Sequence, residues 1–188
     1  MHVAFPYVDI LRYGGTLPAR PDGSFQFCCP DVDVIDISTS NNAHFEVAKA
    51  AIEAGKPFCL EKPVTLTAEE ADILAKAAQE KGIPNMVCFS YRFKAAARYA
   101  KELVEKGMLG DIYHVYMQYL QGGGGPSYDL PRSWRYQKKL TGTGALGDLG
   151  CHALDLVSFV TGKNYRKAVG HTDTYVTQRR LEEGEGYG

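Results

Sequence analysis

Three short apolar runs, each followed by a helical pattern, constrain the fold of this chain more than any other feature of its sequence. The runs cover about residues 32–37, 57–60 and 85–89, and the first is nearly continuous in Val and Ile. Such runs are typical of strands buried in a parallel sheet. The helical patterns cover about residues 43–54, 67–82 and 95–105. This alternation predicts an α/β fold with a parallel sheet and right-handed crossovers.

Composition and charge exclude several classes of protein. The chain has 188 residues, of which 45% are hydrophobic, so it can bury a substantial core in one domain or two small ones. Its formal net charge is -1, which provides no electrostatic attraction toward nucleic acid or an anionic membrane. The apolar runs fall short of the roughly 18 residues that a membrane span requires, and the N-terminus lacks a secretion signal.

The five cysteines favour a reducing compartment. Their number is odd and no two of them have Cys-x-x-Cys spacing, so the sequence predicts neither a disulfide framework nor a zinc site. No converging set of three or four Asp and His ligands is apparent either, so no metal is expected. We therefore expect a cytoplasmic protein without a structural metal.

The pattern changes after about residue 110. Residues 112–120 are rich in Tyr. Tyr113, Val115, Met117 and Tyr119 recur at every second position, which is typical of one face of a sheet. Residues 166–177 form another β-prone run. The second half of the chain is therefore expected to form a different kind of sheet from the first half. Residues 1–30 show no sustained period, and we expect them to be irregular.

One helical pattern, over about residues 146–160, carries both Asp148 and His152. The two lie four residues apart, so they are predicted to share one face of that helix. Lys62 follows the second predicted strand and precedes Pro63, which restricts the backbone there. A lysine, an aspartate and a histidine would suffice for proton chemistry on a hydroxyl. Ordinary alternatives remain open: a helix N-cap for Asp148, a core position for His152 and a solvated surface position for Lys62.

Four stretches of the sequence resemble a single family. Residues 31–63 combine DVDVIDISTSNNAH, a helix and GKPFCLEKP, and residues 144–156 read GALGDLGCHALDL. The stretches SYRF at 90–93 and SWRY at 133–136 complete the set. Together they resemble the Gfo/Idh/MocA oxidoreductases over about residues 30–188.

The resemblance implies an α/β chain that contains parts of two domains. Residues 31–92 would form a partial Rossmann-type dinucleotide-binding domain with a parallel sheet. Residues 93–188 would form part of an α+β substrate and oligomerisation domain whose open sheet is mainly antiparallel. The family's Gly-x-Gly-x-x-Gly turn, which holds the cofactor pyrophosphate, has no match in residues 1–30. We therefore expect residues 1–30 to be an irregular or non-family leader, and the sequence to come from a longer gene, truncated at both ends.

The resemblance also implies hydride transfer between a secondary alcohol of a sugar or polyol and NAD or NADP. His152 would accept the hydroxyl proton, Lys62 would stabilise the negative charge that develops on the oxygen, and Asp148 would hold Lys62 or the hydroxyl. The family's cofactor-binding positions correspond to Thr39, Asn41, His44, Glu61 and Lys62. Its substrate-pocket positions correspond to Tyr91, Arg92, Trp134 and Arg135.

Two other functions stay open at this point. Relatives within the family use bound NAD for a transient oxidation during glycoside cleavage or epimerisation. A non-catalytic protein that binds a sugar or a partner through the Tyr-rich sheet is the second alternative. For the dehydrogenase, we expect a sugar or polyol substrate and a homo-oligomer, a dimer or tetramer, formed through the C-terminal sheet. Nucleic acid and membrane are not expected as partners.

Overall fold

A computed structural model describes residues 8–10, 15–17 and 32–181. The chain divides into two compact units. The first unit comprises Met1–Cys88 and Lys138–Thr143, and the second comprises Phe89–Gln137 and Gly144–Gly188. The strands are β1 Val8–Ile10, β2 Gly15–Leu17, β3 Ile35–Ile37, β4 Phe58–Leu60 and β5 Asn85–Val87. The helices are α1 His44–Glu53, α2 Ala68–Glu80, α3 Ala95–Glu105, α4 Lys138–Thr141 and α5 Cys151–Thr161.

The first unit is built on one five-stranded sheet in the order β2-β1-β3-β4-β5. Strands β3, β4 and β5 are parallel, with Ile35 opposite Phe58 and Phe58 opposite Asn85. Helices α1 and α2 connect these strands in sequence, as parallel neighbours require. The parallel sheet predicted from residue 31 onward, with α1 and α2 as its two helical connections, is therefore confirmed.

Strands β1 and β2 differ from the expectation that residues 1–30 are irregular. They pair antiparallel with each other, and β1 pairs antiparallel with β3, with Ile10 opposite Ile35. The pairing supplies partners for the backbone groups along the edge of β3 that β4 does not use. Residues 8–10 and 15–17 stand in a stretch that mixes Gly, Pro and aromatic residues without a sustained period, so the sequence pattern does not mark them as strands.

The core of the first unit lies between the sheet and its helices. Alternate residues of β3 and β4 point into it, while Asp36 and Cys59 between them are only half-buried. Helix α2 begins with a capping box, in which Thr67 Oγ1 accepts from Glu70 N and Glu70 accepts from Thr67 N. The buried apolar side chains are Val32, Ile35, Ile37, Ala43, Val47, Ala48, Ala51, Ile52, Phe58, Leu60, Leu74 and Ala78.

The longer regular elements in the described part of the second unit are helices. Helices α3 and α5 pack together, and a five-residue π-helical turn, Leu146–Gly150, leads directly into α5. Short 3-10 turns occur at Ser90–Phe93 and Trp134–Tyr136. The described helices include none with the length and hydropathy that a bilayer crossing demands.

The open, mainly antiparallel sheet that was expected in the second unit is not present in the described residues. Neither residues 112–120 nor residues 166–177 form a strand. A strand exists only where its backbone groups pair with a neighbour, so a β-prone sequence alone does not produce one. The Tyr-rich segment is instead exposed, with Tyr113 at 92% and Tyr116 at 78% of full exposure.

Candidate functional site

The first unit gathers polar side chains where its parallel strands end. Thr39 and Asn41 follow β3, and Glu61 and Lys62 follow β4. Because parallel strands place their carboxyl ends at the same edge of a sheet, these two loops are neighbours. That edge is the usual ligand-binding edge of an open α/β sheet.

His44, the first residue of α1, joins the two loops. Its ring is completely buried, with Nδ1 at 2.7 Å from the carbonyl oxygen of Pro63 and Nε2 at 3.1 Å from that of Thr39. Burial lowers the pKa of His44 below its usual 6.5, against the opposing effect of the two carbonyls. The imidazole is therefore engaged by backbone groups on both sides, whereas the sequence suggested that it lines a cofactor site.

Thr39 and Asn41 are both buried although they are polar. Asn41 Nδ2 donates to the carbonyl oxygen of Thr141 over 3.4 Å, which attaches the loop after β3 to helix α4 of the same unit. Thr39 Oγ1 has no hydrogen-bond partner among the residues that the structure describes. A buried hydroxyl without a partner is costly, so this group is suited to bind a polar atom of a ligand.

The loop after β4 holds Glu61 and Lys62 half-buried. The backbone N–H of Lys62 donates to Glu61 Oε2 over 3.2 Å, which folds the carboxylate back onto its own loop. Cys88, which follows β5, has its pKa raised to about 11, first by burial and then by the Glu61 carboxylate. This thiol therefore stays protonated at neutral pH and is unsuited to nucleophilic chemistry.

The second unit places His152 in an aromatic environment. The His152 side chain is buried on α5, and its ring stacks on Tyr91 with centroids 4.4 Å apart and planes inclined by 15°. Phe89 meets the same ring edge-on at 6.2 Å. Tyr91 lies in the 3-10 turn Ser90–Phe93, so the predicted pocket residue and the predicted base are brought together.

Tyr119 extends this group, although its Tyr-rich segment predicts a sheet face and not a site residue. Its hydroxyl lies 2.5 Å from the hydroxyl of Tyr91. The pKa of Tyr119 is raised, mainly by this hydrogen bond and to a smaller extent by the negative charge of Asp148. Tyr91, His152 and Tyr119 therefore form a continuous polar and aromatic group.

Asp148 lies in the π-helical turn rather than in a regular α-helix. The N–H of Cys151 donates to the carbonyl oxygen of Leu146, five residues back. Such a turn accommodates an extra residue, and π turns are frequent at functional sites. A Cβ atom on Gly150 would lie 2.9 Å from Leu146 Cδ1, so the glycine at this position permits the local packing.

Arg92 is occupied by an ion pair. Its Nε donates to Asp155 Oδ2 over 2.8 Å and its Nη2 donates to Asp155 Oδ1, which raises the pKa of Arg92. The pair connects the 3-10 turn to α5. Of the other predicted substrate residues, Arg135 stacks on the neighbouring Trp134, with its guanidinium carbon 4.4 Å from the ring centroid.

No cluster of three or more His, Cys, Asp or Glu side chains with metal-binding geometry occurs within residues 32–181. The candidate site in each unit therefore consists of hydrogen-bonding, aromatic and titratable groups. Such groups can orient a polar organic ligand and move a proton.

Comparison with known proteins matches both units to one family. A family model described as "Oxidoreductase family, NAD-binding Rossmann fold" matches residues 26–89. A second model, described as "GFO/IDH/MocA C-terminal domain", matches residues 97–185.

Two curated relatives and one solved structure illustrate the similarity. Levoglucosan dehydrogenase of Pseudarthrobacter phenanthrenivorans is 38% identical over 155 residues, covering 82% of this chain and 39% of the relative. The scyllo-inositol 2-dehydrogenase (NADP(+)) IolW of Bacillus subtilis is 35% identical, covering 84% of this chain and 42% of the relative. A structure of levoglucosan dehydrogenase in complex with NADH and levoglucosan superposes with a TM-score of 0.77 at 39% identity, covering 84% of this chain and 42% of that chain.

The chain thus spans 39% and 42% of the lengths of these two curated relatives. The family models nevertheless match in each unit, in the order in which the family's two domains occur. The chain belongs to the Gfo/Idh/MocA family of oxidoreductases.

Proposed function

We propose that this chain acts in an NAD(P)-dependent oxidoreductase that transfers a hydride between nicotinamide and a secondary alcohol of a sugar or polyol. The observation that carries the proposal is the match of an NAD-binding model and a Gfo/Idh/MocA C-terminal model to successive parts of the chain. Both curated relatives described above are named as dehydrogenases of cyclic polyols or sugars. Those names do not favour the glycosidase or epimerase alternative.

We assign the dinucleotide-binding role to residues 31–92 and the substrate role to residues 93–188. The first assignment rests on the parallel strands and on the polar loops that follow them. The second rests on the aromatic group that Phe89, Tyr91 and Tyr119 form with His152.

The residues of the first unit fit a dinucleotide. Thr39 Oγ1 is buried at the ligand-binding edge of the sheet without a partner among the described residues, so a ribose hydroxyl or phosphate oxygen would satisfy it. Asn41, Glu61 and Lys62 would hold the ribose and nicotinamide side from the loops after β3 and β4. When bound, the nicotinamide accepts or supplies the hydride.

His152 is the proposed base for the substrate hydroxyl. An imidazole changes protonation near neutral pH, so it can accept the proton that the alcohol must lose when it is oxidised. Its contacts with Phe89 and Tyr91 shield the ring from water and limit its rotation. Proton transfer by a placed side chain contributes about a hundredfold or more to the rate.

Lys62 and Asp148 are the proposed supporting groups. The ammonium group of Lys62 would donate a hydrogen bond to the reacting oxygen and stabilise its developing negative charge. The carboxylate of Asp148 would accept a charge-assisted hydrogen bond from a substrate hydroxyl. Trp134 and Arg135 would offer an aromatic face and a hydrogen-bonding edge to the sugar.

A substrate panel tests the proposed function. The chain is incubated with NAD⁺ or NADP⁺ and, in turn, levoglucosan, scyllo-inositol, myo-inositol and glucose, and reduced nicotinamide is followed by its absorbance. We expect net reduction with at least one cyclic polyol, and we choose levoglucosan first because of the relative with that name. Product formation without net reduction would instead favour transient oxidation, and a complete lack of dinucleotide binding by calorimetry would favour a non-catalytic protein.

A further inference from the structure

The imidazole of His152 has one aromatic neighbour that is nearly parallel to it. The ring planes of His152 and Tyr91 are inclined by only 15°, and the centroid separation of 4.4 Å is close to stacking contact. A ring held face-to-face against a fixed plane cannot turn about its last side-chain torsion without losing that contact. The direction in which His152 presents its nitrogens therefore depends on the position of Tyr91.

Tyr91 is itself held by two further groups of the second unit. Its hydroxyl is hydrogen-bonded to the hydroxyl of Tyr119 at 2.5 Å. The ammonium group of Lys94 lies 3.8 Å from the centroid of its ring, within the range of a cation–π interaction. The phenol is thus fixed at its polar end and at its ring, and it lies against His152 rather than extending freely toward a ligand.

The backbone also restricts this arrangement. Tyr91 lies in the 3-10 turn Ser90–Phe93, and the next residue, Arg92, forms the bidentate ion pair with Asp155 on α5. Asp155 lies three residues after His152 on that helix, so the same helix is tied to the turn at two adjacent places. The stack is therefore part of a supported contact between two elements and not an isolated side-chain encounter.

We propose that Tyr91 is the positioning residue for His152, with the Tyr119 hydroxyl fixing Tyr91 in turn. In this role the ring plane of Tyr91 selects one orientation of the imidazole, while the hydroxyl of Tyr91 serves only to anchor the phenol. The inference rests on the proposed function insofar as His152 is the base, but the geometry that it describes exists without any ligand.

Nuclear magnetic resonance of the histidine ring protons measures the stack directly. Protons that lie over an aromatic face are shifted upfield by its ring current, and the signals of His152 are identified as those missing from His152→Ala. We expect an upfield shift in the wild type and in Tyr91→Phe, and its loss in Tyr91→Leu. An unchanged His152 shift in Tyr91→Leu would overturn the proposal. The signals of His44 report whether the first unit remains folded in each variant, and far-UV circular dichroism reports whether the helices α3 and α5 of the second unit are retained.

The turnover of the same variants separates positioning from a general structural role. With the substrate found by the panel, we expect Tyr91→Leu to lower kcat by about tenfold with little change in the KM for the dinucleotide, because misplacing a catalytic group slows the chemical step. Tyr91→Phe and Tyr119→Phe each keep the stacked ring and remove the contact between the two hydroxyls, so both should give the same value, between those of the wild type and Tyr91→Leu. Tyr99→Leu, at an exposed tyrosine on α3, is the matched control.

Two outcomes distinguish this inference from the proposed function. If His152→Ala lowers turnover and Tyr91→Leu does not, the positioning role is overturned while the proposed function stands. If His152→Ala itself leaves turnover unchanged, the base is wrongly assigned, and the magnetic resonance result still decides whether Tyr91 holds the imidazole.

Discussion

At the scale of single residues, His44 stands out because burial lowers its pKa while its two carbonyl neighbours raise it. Its two ring nitrogens face the carbonyl oxygens of Thr39 and Pro63, and only the protonated ring could donate to both. Burial opposes that charge, and it is the larger of the effects on the pKa of His44. We conclude that His44 is neutral at neutral pH and donates to one carbonyl, which we assign to the nearer one, that of Pro63.

Because His44 is held in its neutral form, the free energy of unfolding depends on pH. Because the pKa of His44 in the folded chain lies below 6.5, the unfolded chain binds more protons at this site as the pH falls below 6.5. The free energy of unfolding therefore decreases from about pH 6.5 downward until the folded pKa is passed. Urea titrations at several pH values should show a smaller decrease for His44→Gln than for the wild type.

The matched control is His171→Gln, which removes a histidine whose side chain is 85% exposed. If the free energy of unfolding of the wild type and of His44→Gln changes equally with pH, His44 is not held in its neutral form.

Individual site residues differ in how far the sequence could identify them. Thr39, Lys62 and His152 could be selected because they stand in stretches that resemble the family. Tyr119 could not, since its contact with Tyr91 spans 28 positions and no spacing rule relates two such residues. The burial of His44 between two backbone carbonyls could not be predicted from the sequence either, because it depends on the path of the loops after β3 and β4.

At the scale of secondary-structure elements, the ion pair between Arg92 and Asp155 is the clearest link between a turn and a helix. Asp155 is nearly buried, with 9% of its side chain exposed, whereas 44% of the Arg92 side chain is exposed. The pair satisfies both oxygens of the carboxylate. The turn that carries Tyr91 is thereby attached to the helix that carries His152.

Replacing Arg92 should destabilise the second unit. Arg92→Leu removes both hydrogen bonds to a nearly buried carboxylate, and we expect a loss of about 1 kcal/mol, because solvent screens part of the interaction on the arginine side. Arg92→Lys should recover only part of the loss, since an ammonium group cannot bind both carboxylate oxygens in the same geometry.

Urea denaturation measures these differences. Lys106→Leu, which breaks an exposed pair with Glu102 on the surface of α3, is the control and should cost only a few tenths of a kcal/mol. A loss for Arg92→Leu no larger than that of the control would mean that the pair does not stabilise the turn.

The regular elements were predictable where local sequence determines them. The helical patterns over about residues 67–82 and 95–105 correspond to α2 and α3. Residues 112–120 are the counterexample, because the recurrence of Tyr113, Val115, Met117 and Tyr119 at every second position predicted a strand that the structure does not form there. Helical hydrogen bonds close within one segment, whereas a strand depends on partners elsewhere in the chain, and sequence periodicity does not reveal those partners.

At the scale of the whole molecule, the chain consists of two units that each match one domain of the family. The first unit combines a parallel sheet with polar loops at its carboxyl edge, and the second combines helices with the aromatic environment of His152. The family and the parallel sheet could be predicted from the sequence. The short strands β1 and β2 could not, nor could the assignment of α4 to the first unit, because both depend on contacts between distant parts of the chain.

The central proposal is that the chain acts in an alcohol-oxidising enzyme, in which His152 would be the base and Lys62 would stabilise the reacting oxygen. Its most direct test is the kcat of the wild type, His152→Ala and Lys62→Met on the polyol that the panel identifies, with His171→Ala as an exposed control. The account predicts that both site variants lose about a hundredfold or more of the rate while the control retains it. Wild-type rates in both site variants would contradict it.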